Sequence, residues 1–179
     1  MGVKSIENVR AVDAYEFARV AGQAEGEVAL SALVRFAEGQ PDQVGVLQWS
    51  AQGEQDGFGK SFLHLSIKGE PTVVCQRCLT NFAWPVDSSV TLELVRSEAD
   101  LEVADESDDE DDPDTPDRVL GSKRFDLLAH VEDELILAVP YITRHPQCPE
   151  LPDALKQQDS SPEERRPSPF AALEKLKAK

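Results

Sequence analysis

The chain has 179 residues, 40% of them hydrophobic, and a formal net charge of −16, so it holds one ordinary domain plus tails and would repel polyanions over most of its surface. No apolar run approaches the roughly 20 residues that cross a bilayer, and Met1 to Val12 mixes Lys4, Glu7 and Arg10 with scattered aliphatics, which is unlike an export signal. Three cysteines, an odd count, argue against a disulfide framework; the expectation is a soluble, cytoplasmic protein without membrane contact.

In chain order, Asp13–Gly22 reads as a short helix, with Asp13 as N-cap and Gly22 as its stop. Val28, Leu30, Ala32, Val34 and Phe36 then alternate with their neighbours, which predicts a half-buried strand. A turn at Gly39–Asp42 precedes a second strand carrying Val44, Val46, Leu47 and Trp49, which the glycines from Gly53 to Gly59 should break. Leu63, Leu65 and Ile67 mark a third strand and Thr72–Cys75 a short fourth. Leu79–Pro85 reads as a turn, and Val86, Ser88, Val90, Leu92 and Leu94 close the series. Strands joined by short turns pair antiparallel, with nothing to support parallel topology. The expected fold is therefore α+β: a partly closed antiparallel meander of about five strands packed with one main helix, plus short helices near each terminus.

Between Glu98 and Asp117 lie twelve acidic residues and no base, which leaves −4 for the rest of the chain. Such a stretch buries too little apolar surface to offset its chain entropy, and residues 98–118 are expected to be a disordered loop inside a single 1–148 domain. It is a solvated spacer on one reading and a mimic of a phosphate backbone on the other. Arg124–Asp126 then suggests a brief strand, with Asp126 capping a helix over Leu127–Val139 that Pro140 stops. Leu127, Leu128, Val131, Leu135 and Ala138 form its apolar stripe. Glu132, Asp133 and Glu134 bunch mid-helix, either as a solvated face or as a partner contact. His64 and His130 have no nucleophile beside them in sequence and read as structural. Residues 149–167, rich in Pro, Gln, Ser, Asp and Glu, should form a flexible linker. Residues 168–179 follow as a short helix, capped by Ser168 and Pro169, that is too brief to stand alone and must dock through Phe170, Leu173 and Leu176.

Chemistry concentrates in Cys75-Gln76-Arg77-Cys78, with His145 and Cys148 as the remaining donors. Two thiols three positions apart can point at one zinc ion from a tight turn, and three sulfurs with one imidazole complete a tetrahedral set. Plain buried thiols and redox exchange remain the other readings, although redox exchange would want the pair to open a helix within a βαβ unit. A phosphate-cradling loop, a nucleophile elbow and a metal-binding helix motif are all missing, and no small-molecule substrate or catalysis is expected. Direct RNA contact would need cations to converge on one face, with Arg77, Lys123 and Arg124 as the candidates.

Three strings occur together here: Cys75–Cys78, then Phe125–Ala129 running through Val131–Glu134 to Ile136–Pro140, then Pro167–Ala171 with Leu173. In order and spacing they resemble the YceD family, the large ribosomal RNA subunit accumulation proteins, across most of the chain. The resemblance implies a bacterial cytoplasmic protein that supports synthesis, processing or stability of large-subunit RNA, with no known catalytic mechanism. Relatives differ in whether they keep the cysteines and whether a second pair stands near His145 to Cys148; here His145 takes the place of one thiol. The expected function is a non-enzymatic biogenesis factor for 23S ribosomal RNA, bound to precursor large subunits through a ribosomal protein or another assembly factor. The alternative is a zinc-ribbon-like module that touches precursor rRNA directly.

Overall fold

The computed structural model describes residues 9–101 and 115–149. Its order is α1 (Ala14–Arg19), β1 (Gln23–Ala29), a 3-10 turn, α2 (Val34–Ala37), β2 (Val46–Gln55), β3 (Ser61–Gly69), β4 (Thr72–Val74), β5 (Asn81–Ala83), β6 (Val86–Val95), a second 3-10 turn, β7 (Asp117–Leu120) and α3 (Leu127–Ala138). The fold is α+β. Strands β1, β2, β3, β6 and β7 lie side by side in one open sheet, while β4 and β5 form a separate hairpin.

The two-residue period assigns the faces of the main sheet. Leu47, Trp49 and Ala51 of β2 point inward with Leu63, Leu65 and Ile67 of β3, while Gln48, Ser50, Ser66 and Lys68 face water. On the inner face α3 lays down Leu127, Leu128, Val131 and Leu135, the stripe legible in its sequence. Asp126 caps this helix, its carboxylate accepting from the Ala129 N–H at 3.1 Å, and the residue before Pro140 is extended.

Several expectations need correction. Residues 27–36 are not one strand. The chain leaves β1 at Ala29, and Leu30, Leu33 and Phe36 are the buried residues that follow. Their spacing of three is helical, and Ala32 and Val34, which completed the apparent alternation, are exposed. Strand β2 runs through Gly53 rather than breaking there. A Cβ at that position would lie 2.5 Å from the Phe17 carbonyl oxygen, so glycine is what lets α1 cross the strand closely. The fourth strand belongs to the hairpin and not to the meander, and its partner β5 lies within the segment read as a turn.

Parallel pairing does occur. β7 runs alongside β6 with Leu92 opposite Asp117 and Val95 opposite Leu120. A parallel partner needs a crossover of a dozen or more residues, and residues 96–116, most of the acidic stretch, supply it. Of the span expected to be disordered, Glu98–Leu101 form a 3-10 turn and Asp117 opens β7; residues 102–114 lie outside the described part. Phe125 makes a single antiparallel bridge with Val12 rather than a strand.

The acidic cluster of α3 is engaged inside the fold. Glu132 is only 9% exposed, and one carboxylate oxygen accepts the backbone N–H groups of Arg35 (2.7 Å) and Phe36 (3.1 Å) at the start of α2. Its other oxygen accepts from Arg35 Nε at 3.1 Å, Asp133 pairs with the same guanidinium, and Glu134 accepts from Ser88 Oγ at 2.6 Å. Glu132→Ala should cost about 2 kcal/mol, since it strands buried N–H groups, and Asp133→Ala about 0.5 kcal/mol, as an exposed ion pair would. Urea unfolding at constant m value measures both, and equal losses would contradict this division of roles.

His130 stacks on Phe125 at 4.3 Å between ring centroids. Burial lowers its pKa, against the pull of the Asp133 and Asp126 carboxylates. Because the folded value lies below the unfolded one, His130 contributes fully above about pH 6.5 and progressively less below it. His130→Phe should therefore lose less stability than wild type between pH 7 and pH 5, and parallel stability curves would contradict this.

Candidate metal centre

The β4–β5 hairpin forms a small lobe beside the main sheet. Val73 and Val74 pair with Phe82 and Asn81, and the Trp84 N–H closes the base on the Pro71 carbonyl at 2.9 Å. Gln43 ties the lobe to the body by exchanging two hydrogen bonds with the backbone of Thr72, at 2.8 and 3.0 Å. At the tip, the Leu79 N–H reaches the Cys75 carbonyl at 2.8 Å while Leu79 takes a left-handed φ of 62°. That turn points both the Cys75 and Cys78 side chains into the lobe, where both are buried.

The second half of the cluster arrives from the far end of α3. Past Pro140, the Thr143 carbonyl accepts the Gln76 N–H at 2.9 Å and the Tyr141 carbonyl accepts from Gln76 Nε2 at 2.6 Å. The buried Thr143 hydroxyl donates to the Val74 carbonyl at 2.6 Å. These bonds set residues 141–148 against the hairpin, and the His145 ring packs on Phe82 with 4.1 Å between centroids and a tilt of 32°.

Cys75, Cys78, His145 and Cys148 thereby present four donor atoms that all lie within 4.8 Å of one another. Cys75 Sγ and Cys148 Sγ are 3.7 Å apart, and Cys78 Sγ is 3.3 Å from His145 Nδ1. A tetrahedral zinc with Zn–S bonds of about 2.3 Å and a Zn–N bond of about 2.0 Å requires edges of roughly 3.8 Å and 3.5 Å, so these two pairs lie close to what the ion needs. The local field favours the ligating thiolate at Cys75 and Cys78, whereas at His145 and Cys148 it favours the protonated form that a metal would have to displace. Burial pushes the Cys75 thiol up, but the N–H groups of Cys78, His145 and Arg77, with the His145 ring, carry it down to about 5. The Thr80 hydroxyl lowers Cys78, the two thiols raise His145, and burial raises Cys148 against the pull of Arg77. Four protein donors would fill a tetrahedral ion and leave no position for substrate, which is the pattern of a structural site.

A model of the family described as large ribosomal RNA subunit accumulation protein YceD matches residues 63–177. The chain belongs to the YceD family. The YceD match starts in β3 and takes in the hairpin, α3 and both halves of the donor cluster. No solved structure matches the chain.

The remaining sequence candidates lie in three parts of the chain. Arg77 lies at the cluster, with Nε 2.9 Å from Cys148 Sγ. Lys123 and Arg124 precede α3, a 12-residue helix about 18 Å long, and the His145–Cys148 segment follows its far end. Phe170, Leu173 and Leu176 lie outside the described residues. Gln76, Thr143, Gln43 and Phe82 all build the site and went unremarked in sequence as its builders, because their partners are distant in the chain; Gln76, between the two thiols, and Phe82, four residues past Cys78, are the two whose position in the sequence could have drawn attention.

Removing metal with a chelator should speed amide hydrogen exchange at residues 71–85 and 139–149 at least tenfold while β2 and β3 stay protected. Uniform acceleration over the whole domain, or none anywhere, would contradict a local structural role.

Proposed function

We propose that this YceD-family protein is a non-enzymatic cytoplasmic assembly factor that supports large-subunit ribosomal RNA by binding partners on precursor subunits, with zinc at Cys75, Cys78, His145 and Cys148 as a structural brace. The observation that carries this reading is the closed four-donor cluster within the matched family region, since it organises a surface and offers no open coordination site. Around that brace the protein displays apolar side chains that its own fold leaves uncovered: Tyr141 is 95% exposed, Leu137 76% and Leu79 69%. Large exposed apolar side chains of this kind suit a protein partner. The C-terminal Phe170, Leu173 and Leu176 serve as a second docking element on the same particle.

A second reading, direct contact with precursor rRNA, is favoured by one feature. Residues 71–85 and 139–149 contain no carboxylate in a chain of charge −16, and their charged side chains are Arg77 and Arg144. This is where a polyanion meets the least repulsion.

Co-sedimentation with precursor large subunits separates the two. The double variant Leu137→Ser/Tyr141→Ala and truncation after Gln158 should each reduce binding at least fivefold, while Arg144→Ala changes it less than twofold at physiological salt. Loss on Arg144→Ala, with a steepened salt dependence for wild type, would favour RNA contact. Unchanged binding in all three would overturn docking through this surface.

A further inference from the structure

Resting on the zinc reading above, we propose that Arg77 is a positioning residue of the metal site: it pins the His145–Cys148 half in place and neutralises the charge of the complex. Zinc bound by three thiolates and a neutral imidazole keeps one negative charge, and a partly buried complex of that kind needs a compensating cation or dipole nearby. The Arg77 guanidinium meets that need from within the Cys75–Cys78 turn. Its Nε donates to Cys148 Sγ at 2.9 Å and its Nη2 to the His145 carbonyl at 3.3 Å, so one planar fork spans the second half of the ligand set.

Cys148 is the ligand that needs such help. Cys75 and Cys78 are buried and fixed by the turn, and His145 is held by packing on Phe82 and by its own N–H, which donates to Cys75 Sγ at 3.4 Å. Cys148 is half-exposed and lies three residues beyond His145, and among the described residues Arg77 supplies the hydrogen bond it receives from outside the ligand set. No carboxylate within residues 71–85 or 139–149 competes for the guanidinium. The same engagement of Nε and Nη2 competes with RNA contact, for which the sequence offered Arg77 as a candidate. Ordering through a neighbour of a metal ligand is worth one to two decades of affinity in comparable sites.

The test is zinc affinity of the full chain by competition with a chromophoric chelator, together with the iodoacetamide labelling rate of each cysteine read by peptide mass spectrometry. Arg77→Ala should weaken zinc binding about 10- to 100-fold and make Cys148 label well before Cys75 and Cys78. Arg77→Lys should recover only part of the loss, since it restores charge without the fork. Arg77→Gln keeps part of the stem and an N–H donor without the charge or the reach, and it should weaken zinc in a chain whose circular dichroism matches wild type even if the alanine variant folds poorly. Wild type and all variants binding zinc within about twofold of one another, with the same labelling order, would overturn the role of Arg77 and leave the zinc site standing. A wild-type chain that folds without retaining zinc would overturn the metal reading and this inference with it.

Discussion

Two short segments about seventy residues apart in sequence are held face to face at one point, and the architecture outside the main sheet follows from that junction. The β4–β5 hairpin has three residues per strand and buries little beyond Pro71, Val73, Cys75 and Cys78. Units below about 40 residues seldom hold together on apolar burial alone and recruit a metal or disulfide instead. Gln76 and Thr143 supply backbone complementarity, but a handful of hydrogen bonds each worth about 1 kcal/mol net is a weak clasp. A zinc ion bound at the tip of the hairpin, as we propose, would change that balance, because its binding free energy would also be the free energy of docking the segment after α3.

Helix α3 is the strut that makes the junction possible. Its start is fixed by Asp126 and by the Phe125–Val12 bridge, its middle by Glu132 holding the start of α2, and its end by Pro140. With both ends set against the sheet, the chain leaves α3 where Thr143 can meet Val74 and His145 can meet Phe82. The carboxylates that look like a free acidic patch in the sequence are thus partly structural, and exposed apolar side chains stand in the last turn of the helix, at Leu137, and just past it, at Tyr141.

Much of this was legible in the sequence wherever a signal is local. The α+β class, α3 with its cap and stop, the alternation along β3 and β6, and the four donors of the cluster all follow from spacing and residue chemistry. What escaped depends on distance or on coincidence. The alternation over residues 27–36 hid a helical spacing of Leu30, Leu33 and Phe36, because Ala32 and Val34 happen to be apolar as well. Gly53 looks like a strand breaker until α1 is seen crossing it. Strand β7 sits next to a carboxylate-rich tract that carries no apolar alternation, and its parallel partner lies a long crossover away. The role of Arg77 could not be read at all, since a cation beside two cysteines announces nothing about a sulfur 71 residues further on.

Electrostatics and function meet at the same place. A chain of charge −16 carries one lobe free of carboxylates, braced by a cluster with no vacancy for chemistry, within a family tied by its description to accumulation of large-subunit RNA. On the function we propose, that combination suits a molecule that presents a shaped surface to a partner. The most direct test is zinc K-edge X-ray absorption on protein purified without added metal. One zinc per chain with three sulfur neighbours near 2.3 Å and one nitrogen near 2.0 Å is the predicted result, whereas a folded, zinc-free chain, or a shell of oxygen and nitrogen only, would contradict the account.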